Sequence, residues 1–389
     1  MKGEKMNREL ELYIHIPFCV KKCAYCDFLS GPASDSRIEE YVQALVEEIK
    51  YYKEFAKNYE ISTVFFGGGT PSLLTGGQMQ KIMGALRQIF SIRKDAEITM
   101  EANPGTVTEE KLQAYQKAGI NRMSFGLQSV NNEELKMLGR IHTYEEFLES
   151  YEAARAVGFQ NINVDLISAI PKQTIKSWEQ TLQTIVDLQP EHISAYSLIV
   201  EEGTPFAKFY GEGCELEHLL PAEEEERLMY ERTEEVLQGA GYHRYEISNY
   251  AKEGCECQHN LGYWERKEYL GLGLGASSLI EETRFHNTDE MEEYLRDANN
   301  PTSIRKEQEI LDRQEQMEEF VFLGLRKISG IQEEKFAEAF GENIWDCYGK
   351  NLERVISEGL LEREEGFLQL TKKGIDVSNY VFYEILAEG

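Results

Sequence analysis

Cys19, Cys23 and Cys26 lie in Tyr13-Ile-His-Ile-Pro-Phe-Cys-Val-Lys-Lys-Cys-Ala-Tyr-Cys-Asp-Phe28, a CxxxCxxC loop directly after an apolar, strand-like run. Three thiolates can ligate three irons of a four-iron cluster and leave the fourth iron open to an exogenous ligand. Structural zinc and fully ligated ferredoxin clusters instead take four protein ligands. An incidental trio of thiols, or zinc with a distant fourth ligand, is the competing account of the same spacing.

Other residues suited to ligand chemistry follow further short runs. Gly67-Gly-Gly-Thr-Pro71 lets the backbone approach a ligand closely, so that main-chain groups can bond amino and carboxylate ends. Glu101 can accept at both carboxylate oxygens, Gln128 can donate and accept, and Arg140 can hold a carboxylate bidentately. Asp165 follows the apolar Ile162 to Val164 and needs a partner there. On residue type alone a salt bridge or strand-end cap explains each of these four equally well.

Elements that could bring these residues together are legible in the pattern. Strand-like runs at Leu10–Ile16, Ser62–Phe66, Glu97–Glu101, Arg122–Gly126, Asn161–Ile167 and His192–Ile199 alternate with helical periodicity, as at Ile38–Phe55 and Glu109–Ala118. That order predicts an α/β fold, a partial or complete parallel (β/α) barrel, with chemistry at the carboxyl ends of the strands. The cysteine loop, Gly67–Pro71, Glu101, Gln128 and Asp165 all fall at or near such an end.

After the glycine-rich Leu270–Ser278, the polar stretch 287–305 with Asn299-Asn-Pro301 reads as a linker. The expected organisation is therefore a barrel domain over 1–286, a linker over 287–305 and a small, mainly helical domain over 306–389. Helical patterns at Met317–Leu325, Glu333–Phe340 and Trp345–Glu358, a hairpin-like Leu360–Leu370 and a last helix suggest a winged helix. Residues 301–389 carry 19 acidic against 11 basic residues, the wrong sign for a nucleic-acid phosphate backbone and better suited to a packing or docking lid.

The 389-residue chain has a formal net charge of −28, which also argues against nucleic acid or an anionic membrane surface as its main partner. The charged N-terminal segment has no apolar signal-like core, and no apolar run could span a bilayer, although peripheral membrane contact remains compatible. Seven cysteines, an odd number, fit a reducing, cytoplasmic setting in which thiolates serve metals.

The cysteine spacing resembles that of the radical S-adenosylmethionine (SAM) superfamily. The ordered blocks Tyr13–Cys19, Gly67–Pro71, Phe125-Gly-Leu-Gln-Ser129 and Asp165-Leu-Ile-Ser-Ala-Ile-Pro171 resemble the oxygen-independent coproporphyrinogen III oxidases and their heme-chaperone relatives. The resemblance implies a [4Fe-4S] cluster on the three cysteines, with SAM chelating the open iron beside Tyr13, Gly68 and Glu101. It also implies that Tyr25, Gly69, Thr70, Gln128, Arg140 and Asp165 match positions that hold a second SAM in the oxidase.

Within that family, Phe28 stands where the oxidase has a fourth cysteine, and only a dozen residues precede the first strand. Both features favour the chaperone branch. His259-Asn260-Leu-Gly-Tyr263-Trp264 matches the HNxxYW motif of heme-binding members, and imidazole and aromatic faces suit heme iron and porphyrin. Cys255, Cys257 and His259 alternate, which on a strand would place all three on one face and make Cys257 an alternative heme ligand. Two departures from the relatives are Ser168-Ala-Ile-Pro171 in place of Tyr-Gly-Leu-Pro, and Ala276-Ser277 in place of Ala-His.

The function so implied is a cluster-, SAM- and heme-binding chaperone that passes heme to an acceptor protein such as a respiratory enzyme and draws on an electron donor for the cluster. The alternatives are coproporphyrinogen III decarboxylation to protoporphyrinogen IX and another radical SAM reaction.

Overall fold

The computed structural model describes residues 8–386. Six strands run parallel in chain order: β1 (Arg8–Ile16), β2 (Tyr59–Gly68), β3 (Ser91–Ala102), β4 (Arg122–Gln128), β5 (Ile162–Ser168) and β6 (His192–Ser197). β1 to β4 contain the predicted runs and extend them, whereas β5 starts one residue after Asn161 and β6 ends at Ser197, two residues short of Ile199. At the β6 edge the sheet continues antiparallel through β7 (His243–Arg244) and β8 (Asn249–Ala251). Beyond β1 it continues through β9 (Tyr269–Leu272), β10 (Ser277–Ile280), β11 (Thr283–Asn287) and β12 (Arg305–Ile310). Among the described residues no pairing joins the edge strands β7 and β12, so the barrel is partial.

Period-two alternation sorts the strands into two faces. In β1, Leu10, Leu12, Ile14 and Ile16 are fully buried in the main apolar core, among residues of the surrounding helices. The alternate residues Glu11, Tyr13 and His15 point inward. Register aligns them in layers: Glu11 with Thr63 and Glu97, Tyr13 with Phe65 and Thr99, and His15 with Gly67. Glu101 pairs with Ser124, Ser124 with Asn163, and Asn163 with His192. The barrel interior is therefore largely polar, whereas its outer face is aliphatic.

Helices cover that outer face, and their starts are set by side-chain caps. Ser34 caps Asp35–Tyr51, Thr75 caps Gly76–Ile89 with a reciprocal bond from Gln78, and Thr143 does the same with Glu146 for Tyr144–Val157. The predicted helix Glu109–Ala118 has those bounds and ends on Gly119 in the left-handed conformation.

The segment 287–305 is not a linker. It holds the helix Met291–Asp297, a helical turn Pro301–Ile304 and the start of β12, and Tyr294, Ala298 and Ile304 join the barrel core. Its polar composition misled because its anchor is itself polar. Buried Glu48 accepts from Gly273 N (2.9 Å), Asn287 Nδ2 (2.7 Å) and Tyr294 OH (2.6 Å).

A second apolar core, from Met317 to Ile385, gathers the helices Arg313–Gly324, Glu333–Phe340, Ile344–Ser357 and Ser378–Leu386. They pack on the three-stranded sheet of β13 (Ile331–Gln332), β14 (Leu361–Glu364) and β15 (Phe367–Leu370), as the winged-helix pattern anticipated.

Burial pushes the Glu48 carboxyl up to about 7. An acid that binds its proton more tightly in the folded state loses stabilisation as pH rises from its ordinary value of 4.5 toward 7. In urea unfolding, wild type should lose roughly 1–3 kcal/mol across that window relative to Glu48→Gln. Parallel pH profiles for the two proteins would contradict this assignment.

Candidate functional site

The thiol-bearing loop leaves the carboxyl end of β1 and is tied down at both ends. Cys19 N donates to Gly31 O (3.0 Å), Gly31 N donates to Pro17 O (3.0 Å), and Ala24 N donates to Leu138 O (3.2 Å). Phe18 is buried edge-on against Tyr41, with ring centroids 5.1 Å apart. His15 Nε2 donates to Leu29 O (2.9 Å), which leaves Nδ1 of the neutral ring to accept from Tyr13 OH (3.1 Å). Burial holds the His15 imidazole below its ordinary range and keeps it neutral.

The loop after β2 crosses the root of this segment. Gly69 N donates to Ile16 O (2.9 Å), and a Cβ at Gly69 would stand 2.7 Å from Phe18 O, so the contact requires glycine. Gly68 has φ +108° and leaves no space for a side chain, because a Cβ would meet the His15 ring at 2.4 Å.

One pocket joins Cys19, Cys23 and Cys26 to Tyr25, Gly68, Gly69, Thr70, Glu101, Gln128, Arg140 and Asp165. Eight of the nine SAM candidates are thus brought together. The ninth, Tyr13, sits one layer deeper, its ring against Phe65 and its hydroxyl on His15. Gln128 ends β4 at a register shift and has φ +78°, an uncommon backbone state for a non-glycine residue.

A relay of side chains connects two of the thiols. Arg140 Nη1 donates to Cys23 Sγ (3.4 Å) and Nη2 donates to Asn103 Oδ1 (2.6 Å). Asn103 Nδ2 donates to Thr70 Oγ1 (2.7 Å), whose hydroxyl donates to Cys19 Sγ (3.3 Å). Donors aimed at sulfur suit thiolates better than thiols. Among the described residues no three His, Cys, Asp or Glu side chains converge as ligands of a single ion would. A cluster, being larger than one ion, needs its thiolates spread, and the loop spreads them.

The pocket also suits a ligand with both charges. Burial and then the nearby Asp165 push Glu101 up to about 8, while burial raises Asp165 as well. Two such carboxyls gain most from a cation placed beside them. Arg140 Nε is buried without a partner and can serve an anionic group. SAM carries a carboxylate, an ammonium and a sulfonium, so the residues fit both cluster and cofactor.

His259-Asn260-Leu-Gly-Tyr263-Trp264 lies at the other end of the barrel. Cys257 starts the helix Gln258–Trp264, so the alternation of Cys255, Cys257 and His259 does not put them on one strand face. Gly262 is needed on this helix because a Cβ there would overlap the Glu11 carboxylate. His259 is 1% exposed, with Nδ1 2.7 Å from Thr63 Oγ1 and Nε2 3.0 Å from Tyr263 OH. Neither ring nitrogen is open to an iron in this arrangement. Burial and Arg122 push the imidazole down to about 3, and burial raises the facing Glu11 carboxyl, so desolvation disfavours the charged form of both. Cys257 is buried beside Glu97, and burial pushes its thiol up to about 12. Asn260 is half-buried. Trp264 points away from His259, toward the C-terminal unit, with Arg326 over its ring at 4.4 Å.

The radical SAM superfamily profile matches residues 13–185, and the HemN C-terminal domain profile matches 311–377. The heme chaperone HemW of Bacillus subtilis is 37% identical, over 97% of this chain and 99% of the relative. That of Lactococcus lactis is 36% identical over 97% of both, and that of Escherichia coli 41% over 70% of both. The chain belongs to the HemW family. The HemW fold also resembles the solved Escherichia coli coproporphyrinogen III oxidase HemN, with a TM-score of 0.84 at 24% identity, covering 97% of this chain and 90% of that one.

Residue types alone singled out neither His15 nor Asn103. The available signal for Asn103 was Pro104, which restricts the preceding residue to extended conformations and so fixes where its amide points. In this HemW-family chain Asn103 touches no cysteine, so Asn103→Ala tests the relay itself. Loss of such an outer contact should weaken cluster retention by about 10- to 100-fold, measured as anaerobic iron release to a chelator. Release at the wild-type rate would show that the relay does not support the thiolates.

Proposed function

We propose that the protein is a cluster- and SAM-binding heme chaperone that receives heme and passes it to an acceptor protein in the cytoplasm. The observation that carries this reading is similarity along 97% of the chain to relatives named heme chaperones. Phe28, 63% exposed at the rim of the thiol pocket where the oxidase has cysteine, favours the same branch. Among the described residues no helix is long and apolar enough to cross a membrane.

In this reading Cys19, Cys23 and Cys26 hold the cluster, and Gly68, Gly69, Glu101 and Asp165 receive the polar ends of SAM. When bound, cluster and SAM together supply one-electron chemistry. The chain's own contribution is positional. Thr70 and Arg140 donate to two sulfurs, Asn103 holds both donors in place, and the buried carboxyls balance positive charge at the centre of the pocket. Tyr25, bonded to Arg140, closes one side, and Gln128 closes another. Asn260 and Trp264 serve the heme function at the far end of the barrel, on a helix that the buried His259, bonded to Thr63 and Tyr263, holds in place.

The test is anaerobic reconstitution of the full chain, followed by assays of hemin binding, hemin transfer to an apo-heme protein, and coproporphyrinogen turnover. Hemin should bind and transfer without protoporphyrinogen formation. Protoporphyrinogen accumulation with SAM consumption would instead assign the oxidase reaction.

A further inference from the structure

Trp264 faces a cleft of about 300 Å³ between the end of the helix Gln258–Trp264 and the C-terminal unit. Phe320 and Phe367 contribute apolar walls from that unit, and Lys267, Lys327 and Lys335 bring three ammonium groups to the same space. The floor is anchored to the barrel: Ile328 N donates to Tyr245 O (3.0 Å), next to a bridge between Glu246 and Lys327. A site built across this seam is positioned by both parts of the fold.

The charge here departs from the rest of the molecule. The chain has 69 acidic against 41 basic residues, yet among the described residues Glu265 is the single carboxylate that lines this cleft. It lies 3.5 Å from Lys327 and 3.6 Å from Lys267, and Lys267 has a second carboxylate, Glu9, at 3.3 Å. Among the described residues no carboxylate pairs with Lys335. Burial depresses the Lys327 ammonium below its ordinary range, and the charges of Lys335 and Lys267 add to that effect while Glu265 opposes it. The Trp264 Nε1–H is buried without an acceptor. An unpaired ammonium at Lys335, a second at Lys327 that shares Glu265 with Lys267, an idle indole donor and flanking aromatic faces suit a ligand that is flat, apolar and edged with carboxylates.

We propose that this cleft receives the propionate edge of heme, with the carboxylates on Lys327 and Lys335 and the ring edge against Trp264. The proposal rests on the heme-chaperone reading and deepens it by assigning the edge of the ligand that the chain recognises. A cavity of this size encloses part of a porphyrin, which leaves the opposite edge accessible to an acceptor.

Hemin and hemin dimethyl ester, the same ring without carboxylate charge, are titrated into the full chain by absorbance and tryptophan quenching. Wild type should prefer hemin to the ester. Lys327→Gln/Lys335→Gln should weaken hemin binding about tenfold or more and leave the ester unchanged, because charge-assisted bonds are lost only with the former. Lys53→Gln/Lys57→Gln, on the outer surface, controls for total charge. The exposed Lys335→Gln alone keeps the test if the double variant does not fold. Wild-type hemin affinity in a folded double variant, or equal affinity of wild type for both ligands, overturns the proposal while leaving the chaperone reading intact. A wild type that binds no hemin removes that reading and this proposal with it.

Discussion

Three sulfurs on one eight-residue stretch must be held apart yet facing one space, although each carries negative charge when it binds iron. The rest of the structure follows from that constraint. Short-range electrostatics would let such a loop collapse or splay, and backbone bonds from Cys19, Ala24 and Gly31 fix its path before any metal arrives. The counter-charge comes from Arg140, which is itself held by Asn103 and by the Gly126 carbonyl. Gly69 lets the loop after β2 cross beneath without displacing Phe18. Much of the site is therefore scaffolding for thiolates, and the pocket for SAM is what remains between the scaffold and the carboxyl ends of β3 to β5.

The polar interior explains how the two ends of the barrel are kept distinct. Near the carboxyl ends, inward-facing Glu101 and Asp165 are left short of cations. Near the amino ends, Thr63, Glu97 and Arg122 meet the helix Gln258–Trp264, whose His259 plugs the opening and stacks on Phe65. Tyr13 stands between them, bonded upward to His15 and close to Phe65 below. The HNxxYW segment is split by its own helical geometry: His259 and Tyr263 lie one turn apart and face the barrel, whereas Trp264 turns toward the C-terminal unit. Burial as deep as that of His259 makes an imidazole a structural pin in this state. The surface that remains for a porphyrin lies on the tryptophan side.

Much of this was legible in the chain. Alternating strand and helix periods gave the parallel order β1 to β6, and the cysteine spacing together with the Gly67–Pro71 block located the pocket, because glycine and cysteine leave few structural options at those positions. The open edge of the barrel was not legible, since β7 to β12 are short and largely antiparallel. Nor was the role of 287–305, whose anchor is a buried glutamate and not an apolar stripe. The helix at Gln258–Trp264 was not legible, because the period-two alternation of Cys255, Cys257 and His259 fits a strand and cannot exclude a helix N-terminus. Asn103 escaped notice for a different reason: its function is to hold two other side chains, and no property of a single residue announces that.

The central claim is that the three-cysteine loop carries a cluster with one iron left for SAM. Electron paramagnetic resonance of the anaerobically reconstituted and reduced full chain tests it most directly. Addition of SAM should shift the signal of a [4Fe-4S] cluster in wild type, and the single substitutions Cys19→Ala, Cys23→Ala and Cys26→Ala should each lose that signal. A cluster spectrum indifferent to SAM, or one that survives removal of any of the three cysteines, would contradict the account.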